Sequence, residues 1–147
     1  MMAKLHIVHE KGRGQVANDA LKIRDQVFIE EQGIGPDREH DGLDDQRVHY
    51  VGYLDEQPVT TARLACEAGG WHIERVATIK AMRGQGLAKE LIICIMKDAK
   101  DSDVKHVELA AQISAKTFYE RLGFKAVGQY FLDAGIEHIR MEYDGDE

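Results

Sequence analysis

The chain has 147 residues, 44% of them apolar and 31% charged, and its 26 acidic residues outnumber 19 lysines and arginines to give a net charge of -7. This length and composition suit one globular domain with a full hydrophobic core, so we expect residues 1–147 to form a single domain. The net acidity argues against nucleic-acid and anionic-membrane binding, which both require basic surfaces. No apolar run could span a bilayer, no secretory signal is evident, and the two isolated cysteines are typical of a reducing compartment, which together favour a cytoplasmic protein.

The first half of the chain predicts one helix among several strands. A short β-like run at residues 5–7 precedes residues 15–32, where apolar side chains recur at helical spacing. Residues 33–47 lack periodicity and carry the Gly, Pro and Asp signals of a long loop. Three consecutive strands are expected next, the first two joined by a hairpin turn, at residues 48–54, 59–66 and 71–79.

The second half of the chain predicts alternating helices and strands. An amphipathic helix begins after Gly86, and residues 106–111 return to a strand. Ser114 is expected to be the N-cap of a short helix that Gly123 ends. The last two strands are expected at residues 124–131 and 137–143. Sequential strands favour antiparallel pairing and the strand–helix–strand order favours one parallel crossover, so we predict a mixed-sheet α/β domain.

Residues 74–88 predict a turn that binds phosphate. A strand runs into a turn containing Gly84 and Gly86, and a helix begins directly afterwards. Helix N-termini present unpaired N–H groups, and glycine lets the backbone approach an anion closely. Residues 75–89 hold four basic residues and no acidic one, which suits a polyanionic ligand. A tight turn capped by glycines is the alternative, because short glycine motifs are weak evidence alone.

Two longer motifs resemble a known family. Residues 83–88, Arg-Gly-Gln-Gly-Leu-Ala, match the pyrophosphate motif Q/R-x-x-G-x-G/A of the GNAT superfamily of acyl-CoA-dependent N-acyltransferases. Residues 118–124, Phe-Tyr-Glu-Arg-Leu-Gly-Phe, resemble a later signature of the same family, and residues 27–32 and 131–138 look like its bacterial ElaA/YjcF-like branch. The resemblance covers nearly the whole chain. It implies a GNAT-type fold, with a mixed, mostly antiparallel central sheet of six to seven strands flanked by about four helices.

The resemblance implies that acetyl-CoA is the acyl donor. The backbone of residues 76–78 would pair with the pantetheine arm as an added strand, and residues 83–88 would hold the pyrophosphate. Gln112 stands where the family often has an asparagine. The expected donor-binding residues are Val76, Ala77, Thr78, Arg83, Gly84, Gln85, Gly86, Leu87, Ala88, Gln112, Phe118 and Tyr119.

Acyl transfer to an amine requires two proton movements, because the attacking nitrogen must be neutral and the departing thiolate benefits from a proton. By resemblance, Tyr119 is the expected acid, and a core aromatic with a hydrogen-bonded hydroxyl is the alternative. His72 and Glu74 share one face of a regular strand and are candidate bases. His138 and His49 are further candidates. A structural ion pair with a nearby arginine is the alternative for Glu74.

Residues 30–45 hold seven acidic residues against a single arginine. In the fold that the resemblance implies, the segment after the first helix commonly borders the acceptor site, so acidic lining would attract a cationic amine. A solvated surface loop is the alternative interpretation.

The resemblance therefore implies an acyltransferase, an acetyl-CoA-dependent N-acetyltransferase that transfers acetyl directly to a primary amine of a small-molecule acceptor. A non-catalytic acyl-CoA-binding module is the alternative. We expect no metal, because the seven histidines and two cysteines show no ligand spacing. Dimers are frequent among proteins of this resemblance, so a homodimer is also an expectation.

Overall fold

The computed structural model describes residues 4–145, which contain seven strands and four α-helices. The strands are β1 His6–Lys11, β2 Val48–Leu54, β3 Gln57–Glu67, β4 Gly70–Thr78, β5 His106–Gln112, β6 Lys125–Asp133 and β7 Ile136–Asp144. The helices are α1 Gln15–Arg24, α2 Pro36–Glu39, α3 Leu87–Asp101 and α4 Lys116–Arg121. A π-helical segment, Asp25–Glu31, continues α1, and short 3-10 turns are formed by Asp44–Gln46, Lys80–Met82 and Ile113–Ala115. No helix in this part of the chain combines the length and hydropathy that crossing a membrane requires.

All strands belong to one sheet with the order β1-β2-β3-β4-β5-β7-β6. Neighbouring strands are antiparallel except β4 and β5, which are parallel and connected through α3. This arrangement confirms the predicted mixed, mostly antiparallel sheet and its single parallel crossover.

The sheet buries a separate apolar cluster on each face. On one face, Leu91, Ile92 and Ile95 of α3 are fully buried against the sheet, each worth about 1.5–3 kcal/mol relative to an exposed side chain. On the other face, α1 and the π-helical segment pack against strand residues that include Val51. Tyr50 belongs to the first cluster and its neighbour Val51 to the second, as the alternation of side chains along a strand requires.

Three sequence predictions need correction. The helix predicted at residues 15–32 changes from α to π geometry after Arg24. The loop predicted at residues 33–47 contains a short α-helix and a 3-10 turn. Ser114 is not an N-cap, because it lies inside a 3-10 turn and α4 begins after Ala115 without a side-chain cap. Gly123 does follow the C-cap of α4, with a positive φ of 100° that favours glycine.

The parallel pair β4–β5 separates along its length. The two strands pair only where Trp71–Ile73 meets Val107–Leu109, and then continue without pairing. A β-bulge in β4 lies at this point, because Glu74 faces Arg63 while the next paired residue, Ala77, faces Thr61. Arg75 in the bulge has a φ of 53°. Since bulges bend a strand and increase its twist, β4 turns away from β5 and leaves a V-shaped opening.

Candidate active site

The V-shaped opening between β4 and β5 contains a cavity of about 430 Å³. Its walls come from both strands, from α4, from the π-helical segment and from the turn between β6 and β7. This volume lies in the range of small-molecule sites. Gly84, Gln85, Gly86 and Leu87 are outside its lining, on the adjoining turn. The predicted site residues that line the cavity are His72, Glu74, Val76, Ala77, Thr78, Arg83, Ala88, Gln112, Phe118, Tyr119 and His138.

The turn before α3 has the geometry of an anion cradle. Gly84 and Gly86 have φ values of 82° and 76°, and a Cβ built on either would meet no heavy atom within 4 Å beyond the adjacent residues of the chain. No side chain among the described residues caps α3, which runs for 15 residues from Leu87. The first N–H groups of this helix therefore have no side-chain acceptor among the described residues, and a helix N-terminus in this state favours an anion.

The basic residues of this segment are less available than the sequence suggests. Both terminal nitrogens of Arg83 contact Glu31, at 2.5 and 2.6 Å, and the hydrogen bond from Arg83 lowers the pKa of Glu31. Arg75 Nε lies 2.8 Å from a carboxylate oxygen of Glu39. Lys80 and Lys89 are exposed and form no ion pair within the described part of the chain. The positive potential of the cradle comes from these lysines and the helix N-terminus.

Tyr119 is a buried phenol that lines the cavity. Its side chain makes edge-to-face contacts with Phe118 and Phe124, at centroid distances of 4.9 and 5.8 Å. The residue is 5% exposed, and this burial raises the pKa of its hydroxyl, which stays protonated at neutral pH. Within residues 4–145, the hydroxyl of Tyr119 forms no hydrogen bond with another residue. The hydroxyl therefore holds a proton that could be donated, and its raised pKa makes it a weaker acid than a free tyrosine.

Glu74 lines the cavity but is held by two arginines. Its Oε1 accepts hydrogen bonds from Arg47 Nε at 2.8 Å and from Arg63 Nε at 3.0 Å. Burial acts to raise the pKa of Glu74, but Arg63 and Arg47 outweigh it and lower the pKa below its ordinary value. Glu74 is therefore a weaker proton acceptor than a free glutamate, and the ion pair expected as its alternative role is present.

His72 and His138 approach the cavity from different strands. His72 Nδ1 lies 3.4 Å from a carboxylate oxygen of Glu108, its partner across the β4–β5 pair. His138 Nδ1 lies 2.7 Å from the carbonyl oxygen of Ile136, and its ring stacks on Phe131 at 5.8 Å. Because a carbonyl oxygen only accepts, Nδ1 donates this hydrogen bond, which leaves Nε2 as the ring nitrogen that can accept a proton.

His49, the remaining candidate base, is placed elsewhere. It is fully buried on β2, outside the lining of the cavity, and its Nε2 lies 2.9 Å from the carbonyl oxygen of Asp44. Burial lowers the pKa of His49, since the charged ring would be desolvated. This placement is that of a structural histidine.

The acidic segment at residues 30–45 is exposed over most of its length, but most of its carboxylates are paired, and Glu39 lines the cavity. Five of its seven carboxylates pair with arginines. Glu39 and Asp44 are 2% and 6% exposed, and both contact Arg24. Asp41 and Asp44 both contact Arg63. Glu39, Asp41 and Asp44 thus join an ion-pair network around the buried arginines, and the charge of the segment is largely cancelled.

Two fully buried arginines at the centre of this network were missed by sequence reasoning. Arg24 lies on the apolar stripe formed by Ala20, Ile23 and Val27, and Arg63 interrupts the buried run of β3. A buried charge requires a partner. A charged residue at an inward-facing position of a helix or strand therefore signals a buried ion pair, but it does not identify the carboxylate that forms the pair.

Among residues 4–145, two groups of side chains have potential metal ligands within 4.8 Å of one another, Asp25–Glu39–His40 and His106–Glu108–Glu142. Arginine contacts a member of each group, since Arg24 binds Glu39 and Arg140 binds Glu108. These ion pairs account for both groups without a metal ion.

Comparison with known proteins agrees with the fold. The model of the acetyltransferase (GNAT) domain matches residues 19–144. The N-acetyltransferase YjcF of Bacillus subtilis, itself uncharacterized, is 33% identical over 127 residues, which are 86% of this chain and 91% of YjcF. An acyl-CoA N-acyltransferase from Pseudomonas aeruginosa is 31% identical with a TM-score of 0.82, over 95% of this chain and 99% of that one. Escherichia coli ElaA is 27% identical with a TM-score of 0.81, and the match covers 97% of this chain and 100% of ElaA.

The chain therefore belongs to the GNAT acetyltransferases, as its motifs predicted.

Proposed function

We propose that this protein is an acetyl-CoA-dependent N-acetyltransferase that transfers acetyl directly to a primary amine of a small molecule. One observation carries the proposal: beyond Ile73, β4 and β5 no longer pair with each other and open a cavity, which adjoins the glycine cradle of α3 and is lined by the buried, protonated Tyr119. Membership of the GNAT acetyltransferases supports the same reaction class.

The donor fits the backbone on the β4 side of the opening. Beyond Ile73, β4 has no strand partner on its β5 side, so the main-chain groups of residues 76–78 that face this side would pair with the amides of a pantetheine arm. The carbonyl oxygens of Ala77 and Thr78 already accept hydrogen bonds from Thr60 Oγ1 and Arg83 Nε. The adjoining cradle at residues 83–88 suits a pyrophosphate. A relative described as an acyl-CoA N-acyltransferase supports an acyl-CoA donor.

Tyr119 and His138 fit the two proton movements. As the C–N bond forms and the C–S bond breaks, Tyr119 gives its proton to the departing thiolate and His138 Nε2 accepts the proton of the amine. His138 suits the base better than Glu74, whose pKa two arginines lower. His72, beside Glu108, is the second candidate. A free N–H of β4 would polarise the thioester carbonyl.

Two measurements test the proposal. Titration calorimetry should detect binding of coenzyme A, and a ligand at 100 times its Kd should add about 2.7 kcal/mol to the unfolding free energy. ATP and NAD should leave the melting temperature unchanged. Thiol release from acetyl-CoA should then depend on an added small amine. Calorimetry without heat from coenzyme A would refute the proposal.

The same assays address the non-catalytic alternative. Binding of coenzyme A without thiol release, across a panel of small amines, amino sugars and polyamines, would identify an acyl-CoA-binding module instead. The protonated Tyr119 and the Nε2 lone pair of His138 at one cavity favour the enzyme.

A further inference from the structure

The end of the π-helical segment bridges the two strands that separate. The carboxylate of Glu31 accepts hydrogen bonds from both terminal nitrogens of Arg83. The Nε of Arg83 in turn donates a hydrogen bond of 3.0 Å to the carbonyl oxygen of Thr78, at the end of β4. The next residue, Gln32, accepts a hydrogen bond of 3.1 Å from Gln112 at the end of β5. Consecutive residues therefore contact the two sides of the opening that the proposed function assigns to the donor.

The π-helical geometry fixes these two residues in place. The N–H of Gln32 bonds to the carbonyl of Val27, five residues earlier, at 3.0 Å. Val27 and its neighbour Phe28 are buried in the apolar cluster on the α1 face, so the segment is anchored. Gly33 then ends it with a φ of 74°. π-Helical turns of this kind recur at functional sites.

We propose that Glu31 and Gln32 are positioning residues for the acyl donor, an inference that rests on the proposed function. Glu31 holds the Arg83 guanidinium on the Thr78 carbonyl, which preorganises the turn that receives the pyrophosphate. Gln32 holds the end of β5 at the distance from β4 that the pantetheine arm requires. Preorganisation of this kind strengthens binding because less conformational freedom is lost when the ligand arrives.

Two donors separate the two roles, because S-acetylpantetheine carries the pantetheine arm without the pyrophosphate. Glu31→Gln should raise KM for acetyl-CoA about tenfold, the size expected for loss of a bidentate charge-assisted contact, and leave kcat unchanged. It should not alter kcat/KM for S-acetylpantetheine. Gln32→Ala should raise KM for both donors.

Glu30→Gln is the matched control. It removes the same charge from the neighbouring exposed residue, which has no ion pair among the described side chains, and it should change neither donor's KM. Melting temperatures of all three variants should stay within a few degrees of the wild type, since these side chains are exposed.

Two results would overturn the positioning role of Glu31. Tighter or unchanged binding of coenzyme A by Glu31→Gln would mean that the carboxylate only withholds the charge of Arg83, and an equal loss with both donors would mean general damage to the opening. An unchanged KM for S-acetylpantetheine in Gln32→Ala would overturn the role of Gln32. If the wild type binds coenzyme A but releases no thiol, the proposed function fails, and calorimetry with coenzyme A and pantetheine still decides the positioning roles.

Discussion

Replacing Asp44 with asparagine should destabilise the protein far more than the same change at Asp45. Asp44 Oδ1 accepts hydrogen bonds from Arg24 and Arg63, at 2.9 and 2.8 Å, and both guanidinium groups are fully buried. The network around it balances four arginines with four carboxylates: Arg24, Arg47, Arg63 and Arg75 with Glu39, Asp41, Asp44 and Glu74. Asp44→Asn leaves one positive charge of this network without compensation.

The expected magnitude follows from the burial of the pair. Removing one partner of a buried ion pair costs about 3–5 kcal/mol. A domain of this size loses about 2–4 °C of melting temperature per kcal/mol, so Asp44→Asn should melt about 6–20 °C below the wild type. Asp45 instead pairs with Arg13 at an exposed site, where both side chains are more than 60% accessible. Asp45→Asn should cost no more than about 1 kcal/mol.

The pH dependence gives an independent readout of Asp44. Burial acts to raise the pKa of Asp44, but Arg63 and Arg24 outweigh it and lower the pKa. A lowered folded-state pKa gives stability that is present above the unfolded value of about 3.9 and is lost as the pH falls through the folded value. The wild type should therefore lose stability more steeply than Asp44→Asn below about pH 4. Urea unfolding of the wild type and both variants at pH 7 and pH 3 measures this difference. Equal melting temperatures and acid slopes for Asp44→Asn and Asp45→Asn would refute the reasoning.

Three further predictions concern the reaction. Tyr119→Phe should lower kcat about 10²- to 10⁴-fold with little change in the calorimetric affinity for coenzyme A, and an unchanged kcat would exclude the phenol as the acid. His138→Ala should lower kcat about 10²- to 10⁴-fold while His72→Ala retains most of the activity; the reverse result would make His72 the base. Gly86→Asp should abolish coenzyme A binding through its charge, whereas the neutral Gly86→Asn should retain part of it; equal losses would contradict an electrostatic cause.

The sequence predicted the elements whose signals are local. The amphipathic spacing of α3 and the strand–turn–strand pattern of β2 and β3 lie within short windows, and the structure reproduces both. The bulge at Arg75 has no such signal, because an arginine rarely adopts a positive φ. Strict alternation would group Val76 with Glu74, yet the extra residue sends Val76 to the α3 face and Ala77 to the α1 face.

The residues of the candidate site also fall into those that local sequence motifs predict and those that depend on long-range contacts. The glycines at 84 and 86 and the segment around Tyr119 were identified from contiguous motifs, and the structure places Tyr119 in the cavity with the glycine turn beside it. The charge of Arg83 was misjudged because its partner Glu31 is 52 residues away in the sequence. The contacts of Asp44 with Arg24 and Arg63 span 20 and 19 residues. Long-range pairing of charges depends on the fold, so a count of local charges does not predict it.

The short contact between β4 and β5 divides the sheet into two subassemblies, strands β1–β4 and strands β5–β7, joined in the sheet by three register pairs. A ligand that hydrogen-bonds along β4 while lying against β5 would act as a splint across this joint. Amide hydrogen exchange should therefore slow on both flanks of the joint when the donor is present, at residues remote from its phosphates. The rigidity of the sheet would then depend on whether the acyl donor is bound between its two parts.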